Sequence, residues 1–281
     1  MYEEINLDLQ SFVKRVYDSI LYQSTFYNFL NPNYIGELRS TGAPVIEVAK
    51  TDALSVNVRK TKEIQTALDP ALTTYSHTMV DLTELNMDYS IRVPLMVTGS
   101  DIANAIQDAA DLEDSAVAEE IDKYGYGKLA DNVTTEAQWA PSTQEDYITT
   151  LNGLKATLFN KKITGDYRLG LGAVEYANLV SALTSVLKYE TPAGVTGVTM
   201  GEVASVYGIR IFEINDNVLD DAKGYFFNPI AVVGDSFMSA AVQTSSDIRY
   251  PGYYCLSYTH SFGAEIVRQE AIIKLVEEVS A

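Results

Sequence analysis

Ser236 is the residue of this chain whose neighbours point most directly to chemistry, because it follows Gly234 and Asp235 at the end of an apolar run. A hydroxyl in such a position attacks an ester when a nearby histidine removes its proton. The chain has two histidines, His77 and His260, and neither follows an aspartate at the Asp-x-x-His spacing that would complete such a site. Gly, Asp and Ser are also common turn residues, so the sequence predicts a turn rather than a nucleophile.

Two other patterns are partial matches to ligand sites. Gly170 and Gly172 precede a predicted helix as in a dinucleotide-binding turn, but Glu175 stands where the third glycine would approach pyrophosphate. A later acidic stretch lacks the spaced glycine and terminal glutamate of a calcium-binding loop. Its members are Asn215, Asp216, Asn217, Asp220 and Asp221. We therefore expect no catalytic residue, no cofactor and no metal site.

The composition is that of a globular chain with excess negative charge. Its 281 residues are 47% hydrophobic, enough to bury a core in one large domain or two joined ones. The formal net charge of −18 argues against binding nucleic acid, which requires clustered lysine and arginine. Cys255 is the single cysteine, and no apolar run is long enough to cross a bilayer. We expect a protein made and retained in a reducing cytoplasm.

One long helix is the clearest element. Apolar residues recur at three- and four-residue steps from Asp101 to about Tyr124, and acidic residues, Asp122 among them, fill the other faces. Ser100 is predicted to be its N-cap. The helix is therefore expected to lie with one face on a core.

A long hairpin precedes this helix, between about Val45 and Val93. Alternating residues indicate half-buried strands at 54–58 and 89–93. Between them, the stretch from Lys60 to Ser76 is polar and too long for a tight turn. A projection of this kind needs a partner on which to rest.

The first thirty residues form a separate unit. A helical stripe from Ile5 to Ile20 leads into an aromatic segment with Phe26, Tyr27 and Phe29. This helix either packs on the core of its own chain or lies as an arm on a neighbouring subunit.

The second half of the chain predicts a region of mixed helices and strands. A connector spans 131–141, and Ser142 with Glu145 is predicted to form a capping box for a helix that carries Tyr147 and Leu151. Strands are predicted at 167–171, 208–214, 225–233 and 253–262, the last ending at Gly263. A helix is predicted at 173–187 and a loop at 192–201, while 264–279 fits a strand, a helix or both in turn.

This order of elements resembles the major capsid protein family of tailed bacteriophages, whose fold is named after phage Hong Kong 97 and is shared with encapsulin compartments. The stretches 42–58 and 80–97 are similar to the two sides of the family's extended loop, and 101–130 is similar to its spine helix. The stretches 203–214, 222–233 and 262–276 are similar to its later strands and its close. Gln269 departs from the pattern, because many relatives place a proline after the arginine at Arg268.

The resemblance implies an α+β fold of the Hong Kong 97 type with five parts. These are an N-terminal arm at 1–42, an extended loop with flanking strands at 43–99, a spine helix and peripheral domain at 100–141, an axial domain at 142–242, and return strands of the peripheral domain at 243–281. It also implies oligomer-interface residues on the arm and at the loop tip. They are Phe12, Val16, Lys60, Lys62, Glu63 and Asp69.

The function implied by the resemblance is self-assembly into pentamers and hexamers of an icosahedral head shell, which encloses double-stranded DNA without sequence-specific binding. The implied partners are other copies of the chain, a separate scaffolding protein, the portal and decoration proteins, with no membrane. The chain would lie in the virion, and in the host cytoplasm before assembly. Some relatives join a loop lysine to an asparagine of a neighbour. No motif here supports that bond for Lys60 or Lys62, so we expect ion pairing or solvation.

Two alternatives stay open from the sequence. An encapsulin-like compartment shares the fold but encloses a cargo enzyme, and the neighbouring genes would distinguish it from a phage shell. A soluble serine hydrolase of the Gly-Asp-Ser type belongs to another class, and loss of ester hydrolysis on replacement of Ser236 would identify it. We favour the structural, non-enzymatic function.

Overall fold

A computed structural model describes residues 23–33, 45–51, 75–81, 83–94, 99–183, 202–244 and 253–277. Its helices are α1 (Gly99–Asn132), α2 (Gln144–Asn160) and α3 (Ala173–Leu183). Its strands are β1 (Val45–Thr51), β2 (Tyr75–Asp81), β3 (Leu85–Pro94), β4 (Glu136–Gln138), β5 (Tyr167–Gly172), β6 (Glu202–Val206), β7 (Ile209–Ile214), β8 (Gly224–Phe227), β9 (Val232–Thr244), β10 (Tyr253–Ile266) and β11 (Ile272–Val276). The mixture of helices and sheets confirms the predicted α+β class.

Helix α1 is longer than its periodic stripe predicted. Its 34 residues extend about 50 Å, and it continues roughly two turns beyond the predicted end near Tyr124. Ser100 lies inside the first turn, so the prediction that it is the N-cap is wrong. Val117, Ile121 and Leu129 are fully buried and form the inner stripe. Among the described helices, none combines the length and the apolar character needed to span a bilayer.

Helix α2 begins with a capping box one residue later than predicted. The Thr143 side chain accepts a hydrogen bond from the Asp146 backbone N–H, and the Asp146 carboxylate accepts one from the Thr143 N–H. Glu145 takes no part in this box, whereas the Ser142 hydroxyl donates to the same Asp146 oxygen at 3.0 Å. The helix itself is confirmed, and its buried face consists of Tyr147, Leu151, Leu154 and Leu158.

Strands β1 and β2 form an antiparallel hairpin in which Val45 pairs with Asp81 and Thr51 with Tyr75. Strand β3 lies outside this hairpin, because it pairs along its whole length with β10. The prediction that 89–93 forms the hairpin's return side is therefore wrong, and the return is β2. Ser76, predicted to lie in the tip, is also in β2. The predicted strand at 54–58 and the rest of the tip lie outside the described residues.

The three-stranded sheet has the order β3-β10-β9, and β9 and β10 continue through glycines that were predicted to end strands. Gly263 lies opposite Asp235, and Gly234 lies opposite Ala264. A β-carbon on Gly234 would lie 2.6 Å from the Gly263 carbonyl oxygen and 2.8 Å from the Ala264 β-carbon. Glycine is needed because the strands approach closely. The predicted turn at 234–236 and the predicted strand end at Gly263 are both wrong.

The six-stranded sheet has the order β4-β11-β8-β5-β7-β6. Strand β4 comes from the predicted connector at 131–141, and β11 comes from the C-terminal stretch. The predicted strand at 225–233 is two strands, since β8 ends at Phe227 and one turn at Pro229–Ala231 carries the chain into β9 in the other sheet. The stretch 264–279 contains the end of β10, a turn at Gln269–Ala271 and β11.

Other predictions for this half of the chain are confirmed. Strands β5 and β7 match the predicted strands at 167–171 and 208–214 to within one residue. Helix α3 begins at the predicted residue. Its predicted end at 187 and the predicted loop at 192–201 lie outside the described residues.

Two clusters of buried apolar side chains hold these elements together. The larger one joins α1, α2 and α3 to both larger sheets. The smaller one consists of Val48, Val80, Val233 and Val267, which connect the hairpin to the start of β9 and to the residue after β10. The hairpin is therefore attached to the rest of the chain through a small apolar contact.

The capping box of α2 gives a first testable prediction. Replacing Thr143 with alanine should lower the free energy of unfolding by about 1 kcal/mol, because the Asp146 N–H loses its acceptor. The matched change Glu145→Gln should lower it by a smaller amount, about 0.3 to 0.5 kcal/mol, since it removes only a charge that favours the helix start. Urea denaturation of both variants measures the difference. A larger effect at Glu145 than at Thr143 would show that Ser142 and Glu145 form the capping box, as predicted from the sequence.

Candidate functional site

The structure leaves the predicted interface residues untested and brings a different set together. All of the predicted residues lie outside the described part of the chain, and they stay predictions. They are Phe12, Val16, Lys60, Lys62, Glu63 and Asp69. The set that the structure assembles centres on residues 23–33, which we call the junction segment. Phe26, Tyr27, Phe29 and Leu30 of this segment are at most 1% exposed.

The junction segment is attached to α1 through a buried carboxylate, that of Asp122. One carboxylate oxygen accepts hydrogen bonds from the Ser24 hydroxyl at 2.5 Å and the Phe26 N–H at 2.9 Å. The other accepts from the Thr25 hydroxyl at 2.9 Å and the Thr25 N–H at 3.2 Å. Burial raises the pKa of Asp122, and these hydrogen bonds act in the opposite direction. A carboxylate this buried requires such donors, so α1 and the segment must stay together.

On its other side, the junction segment is attached to the six-stranded sheet through Arg168 of β5. The Arg168 Nη1 donates to the Asn28 carbonyl at 2.7 Å. Its Nε and Nη2 donate to one Asp166 oxygen at 3.0 and 2.8 Å. The paired guanidinium is thereby held in place to bind the backbone of the segment.

Aromatic rings connect the junction segment to both larger sheets. The Phe29 ring stacks on Phe227 of β8, with ring centroids 3.7 Å apart. The Phe26 and Tyr27 rings meet Phe262 of β10 edge to face, at 6.2 and 5.7 Å. A backbone hydrogen bond of 2.9 Å from Asn31 to the Val232 carbonyl continues the contact into β9. The segment therefore lies at the place where the chain passes from one sheet to the other.

Lys128 attaches α1 directly to the three-stranded sheet. It donates to the Glu84 carboxylate before β3 and to the Ala264 carbonyl of β10 at 2.8 Å, and it lies 3.3 Å from the Glu265 carboxylate. Tyr124 donates to the same Glu84 carboxylate. Partial burial and this hydrogen bond raise the pKa of Tyr124 to about 12, so its hydroxyl stays protonated. The contact fixes the position of α1 across the sheet.

The alternative of a serine hydrolase finds no support in the geometry. Ser236 lies within β9 opposite Phe262, and it is 4% exposed. His260 is fully buried two residues along β10, and burial lowers its pKa to about 4. Within the described part of the chain, neither the Ser236 hydroxyl nor the His260 ring nitrogens make a hydrogen bond. A nucleophile must meet both its base and its substrate, and Ser236 meets neither.

The partial ligand motifs also have structural explanations. A β-carbon on Gly170 would lie 2.5 Å from the Ile214 side chain, so this glycine allows β5 and β7 to pack closely. In the acidic stretch, the Asn215 side chain accepts a hydrogen bond from the Asn217 N–H and caps a single turn. Among the described residues, no three or more His, Cys, Asp or Glu side chains are grouped to hold a metal.

Sequence reasoning missed the residues that make the junction. Asp122 was assigned to a solvent-facing side of α1, whereas it is 7% exposed. One signal was available, because Asp122 lies four residues from the buried Ala118 and four from the buried Tyr126. Arg168 had no comparable signal in the sequence, since its partner is a backbone carbonyl 140 residues away.

No protein-family model and no curated protein matches the chain, but solved phage structures do. A chain of Mycobacterium phage Che8 matches with a TM-score of 0.60 and 20% identity, over 92% of this chain and 93% of that one. The capsid structure of cyanophage P-SCSP1u matches at 0.57 and 15% identity, over 85% and 84%. The head structure of Helicobacter pylori bacteriophage KHP40 matches at 0.55 and 8% identity, over 90% of each chain. The chain therefore has the fold of phage capsid and head proteins, as its sequence predicted.

Two glycines of α1 provide a matched test of the junction. A β-carbon on Gly125 would lie 2.4 Å from the Phe26 ring, whereas one on Gly127 would meet nothing within 4 Å. Gly127→Ala should raise the free energy of unfolding by about 0.5 to 1 kcal/mol, because alanine favours the helix. Gly125→Ala should lower it by about 1 to 3 kcal/mol, because Phe26 is displaced. Urea denaturation measures both, and equal stabilisation would show that Phe26 does not rest on α1.

His260 predicts an acid-dependent loss of stability. Its ordinary pKa is 6.5, and burial lowers the pKa to about 4 in the folded chain. Between these values the unfolded chain binds a proton that the folded chain does not. The contribution of His260 to the free energy of unfolding is therefore fully present above about pH 6.5. It falls by about 1.4 kcal/mol per pH unit as the pH drops toward 4.

The change His260→Phe should remove this contribution, and the difference between the two proteins isolates it from the carboxylates. That difference is needed because the raised pKa of Asp122 acts in the opposite direction, adding stability as the pH falls. Denaturation at several values between pH 4 and 7 measures both proteins. Parallel pH profiles for the two proteins would contradict a buried neutral histidine.

Proposed function

We propose that this chain is a major capsid protein of a tailed bacteriophage. Copies of it assemble into pentamers and hexamers, which form the icosahedral head shell around double-stranded DNA. The observation that carries the proposal is the shared fold over 85% of this chain and 84% of a cyanophage capsid chain, and over 90% of both chains for a phage head. This likeness extends over nearly all of both chains, and it supports a common structural role by fold analogy rather than through a functional site.

The hairpin of β1 and β2 supports a role that depends on neighbours. Among the described residues, these two strands pair only with each other, and Val48 and Val80 attach them to Val233 at the start of β9 and to Val267 after β10. A two-stranded hairpin is marginally stable alone in water. Support from an adjacent subunit would supply the missing contact, and the tip residues Lys60, Lys62, Glu63 and Asp69 would meet that subunit.

The five parts predicted from sequence complete the proposal. The arm at 1–42 carries Phe12 and Val16 onto a neighbouring subunit, starting from the point where the junction segment fixes the chain. The extended loop with its flanking strands is 43–99, the spine helix and peripheral domain are 100–141, and the return strands of the peripheral domain are 243–281. The axial domain at 142–242 is built around the six-stranded sheet, to which β4 and β11 add from outside that range.

The charge of −18 suits a container for DNA. A surface that repels the duplex allows the genome to be packed and released without adhesion, although the repulsion reaches only about 8 Å at physiological salt. A separate scaffolding protein, a portal and decoration proteins complete the head. The chain would act as a structural protein rather than an enzyme, in the host cytoplasm before assembly and in the virion afterwards.

Electron microscopy of the purified protein tests the proposal, with light scattering to measure mass. We expect ring-shaped capsomers or uniform polyhedral shells when the chain is expressed with its neighbouring genes, with DNA inside shells taken from infected cells. Ser236→Ala should assemble as the unaltered protein does, since the buried hydroxyl makes no contact that a shell requires. A stable monomer or dimer under every condition would contradict the proposal, and a protein cargo in place of DNA would indicate a compartment.

A further inference from the structure

The two ends of the six-stranded sheet carry opposite charge. Strands β5 and β7 are parallel, with Tyr167 opposite Ile209 at one end and Gly172 opposite Ile214 at the other. The end at which these strands begin is called the basic end, and the end at which they finish is called the acidic end. About 20 Å separates them along the six residues of β5.

The basic end collects lysine and arginine from three neighbouring elements. The end of α2, the start of β7 and the residue before the turn at Gln269–Ala271 contribute Lys155, Lys161, Lys162, Arg210 and Arg268. Asp166 and Glu270 are the acidic residues among them. The Lys155 ammonium donates to the Tyr207 carbonyl in the β6–β7 turn at 3.0 Å, which places α2 against this end of the sheet. The Arg210 side chain is half exposed.

The acidic end lies where β5, β7 and β11 finish. It carries Glu175, Glu213, Asp216, Asp220, Asp221 and Glu277. Lys223 is the base among them, and its ammonium lies 3.7 Å from the Glu175 carboxylate and 3.3 Å from that of Glu277. This end therefore keeps a large negative excess.

Exposed apolar side chains lie at the same two ends. Three large hydrophobic residues are exposed within the described part of the chain: Phe159 is 63% exposed, Tyr207 49% and Val174 64%. Phe159 belongs to the basic end because it lies one helical turn beyond Lys155. Tyr207 belongs to it because its carbonyl accepts a hydrogen bond from Lys155. Val174 begins α3 at the acidic end, beside Glu175. Aromatic and apolar side chains surrounded by charge are the composition of a protein interface.

We propose that the basic end of one copy docks on the acidic end of the next copy. The occupant is a second copy of this chain, because each end displays the charge that the other lacks. Two chains with a net charge of −18 repel each other in most orientations, so this pairing is the one that charge favours. Contact between two different surfaces is heterologous, and it closes into a ring when the rotation between copies allows. The inference rests on the proposed function and supplies the contact around each pentamer and hexamer.

Charge reversal at one end at a time tests this docking. The basic-end variant carries Lys161→Glu and Lys162→Glu, which leaves Arg210 paired with Asp166. The acidic-end variant carries Glu213→Lys, Asp221→Lys and Glu277→Lys, because three reversals are needed to change the sign of that end. All five side chains are exposed, so both variants should keep the circular dichroism and melting profile of the unaltered chain. Each variant alone should lose at least tenfold in the fraction of protein found in rings, because both of its ends then carry the same charge.

Mixing the two variants gives the sharpest result. In an equimolar mixture, every contact between unlike variants again joins opposite charges, so rings of alternating copies form. Alternation closes with six copies and fails with five. The mixture should therefore restore hexamers and not pentamers. A chain that carries all five changes should restore both, since the charges of its two ends are exchanged and remain opposite.

Native mass spectrometry and electron microscopy count the copies in each ring. Normal rings and shells from either single-end variant would overturn the docking while leaving the proposed function intact. Failure of both the mixture and the fivefold variant to form rings would also overturn it. If the unaltered chain forms neither rings nor shells, the proposed function and this inference fall together.

Discussion

A carboxylate that is removed from water must be met by hydrogen-bond donors, and Asp122 imposes this requirement on the middle of the fold. Its two oxygens take all of their donors from residues 24–26, nearly a hundred positions earlier in the chain. The junction segment therefore cannot leave α1 without exposing an unpaired charge to the apolar core. The same positioning places the Asn28 carbonyl against Arg168 and the Phe29 ring against Phe227. One polar interaction thus fixes the geometry of several apolar ones.

The junction segment also fixes the orientation of the two larger sheets relative to each other. A single turn at Pro229–Ala231 carries the chain from β8 to β9, and the turn at Gln269–Ala271 carries it from β10 to β11. The junction segment bridges the same place within the core, because its rings contact Phe227 on one side and Phe262 on the other. Lys128 attaches α1 to the same three-stranded sheet at the Ala264 carbonyl of β10. Any change in the angle between the sheets must therefore strain the junction first.

Elements that depend on local periodicity were predicted correctly from the sequence. Contacts with backbone groups that are distant in sequence were not. The stripe of α2 and the alternation of β10 were sufficient to place both elements. Glycine was the main source of error. Gly234 and Gly263 were taken as turns and strand ends, whereas they allow two strands to approach. Gly125 has a similar role, because α1 continues through it and the absence of a β-carbon leaves room for the Phe26 ring. Asp122 was misplaced because an acid on a helix is usually solvated, and its donors are not its neighbours in sequence.

A strongly negative chain that assembles with itself needs separate sources of specificity and of strength. Charge complementarity mainly sets orientation and the rate of encounter, while buried apolar contact supplies most of the affinity. The opposite ends of the six-stranded sheet would serve the first purpose, because they distinguish one orientation of two copies from all others. The hairpin would serve the second, since among the described residues only a small apolar cluster supports it within its own chain. The charged ends would then orient two copies before the hairpin of one copy packs on the other. A hairpin that packed first on a wrongly oriented neighbour would leave like charges facing each other.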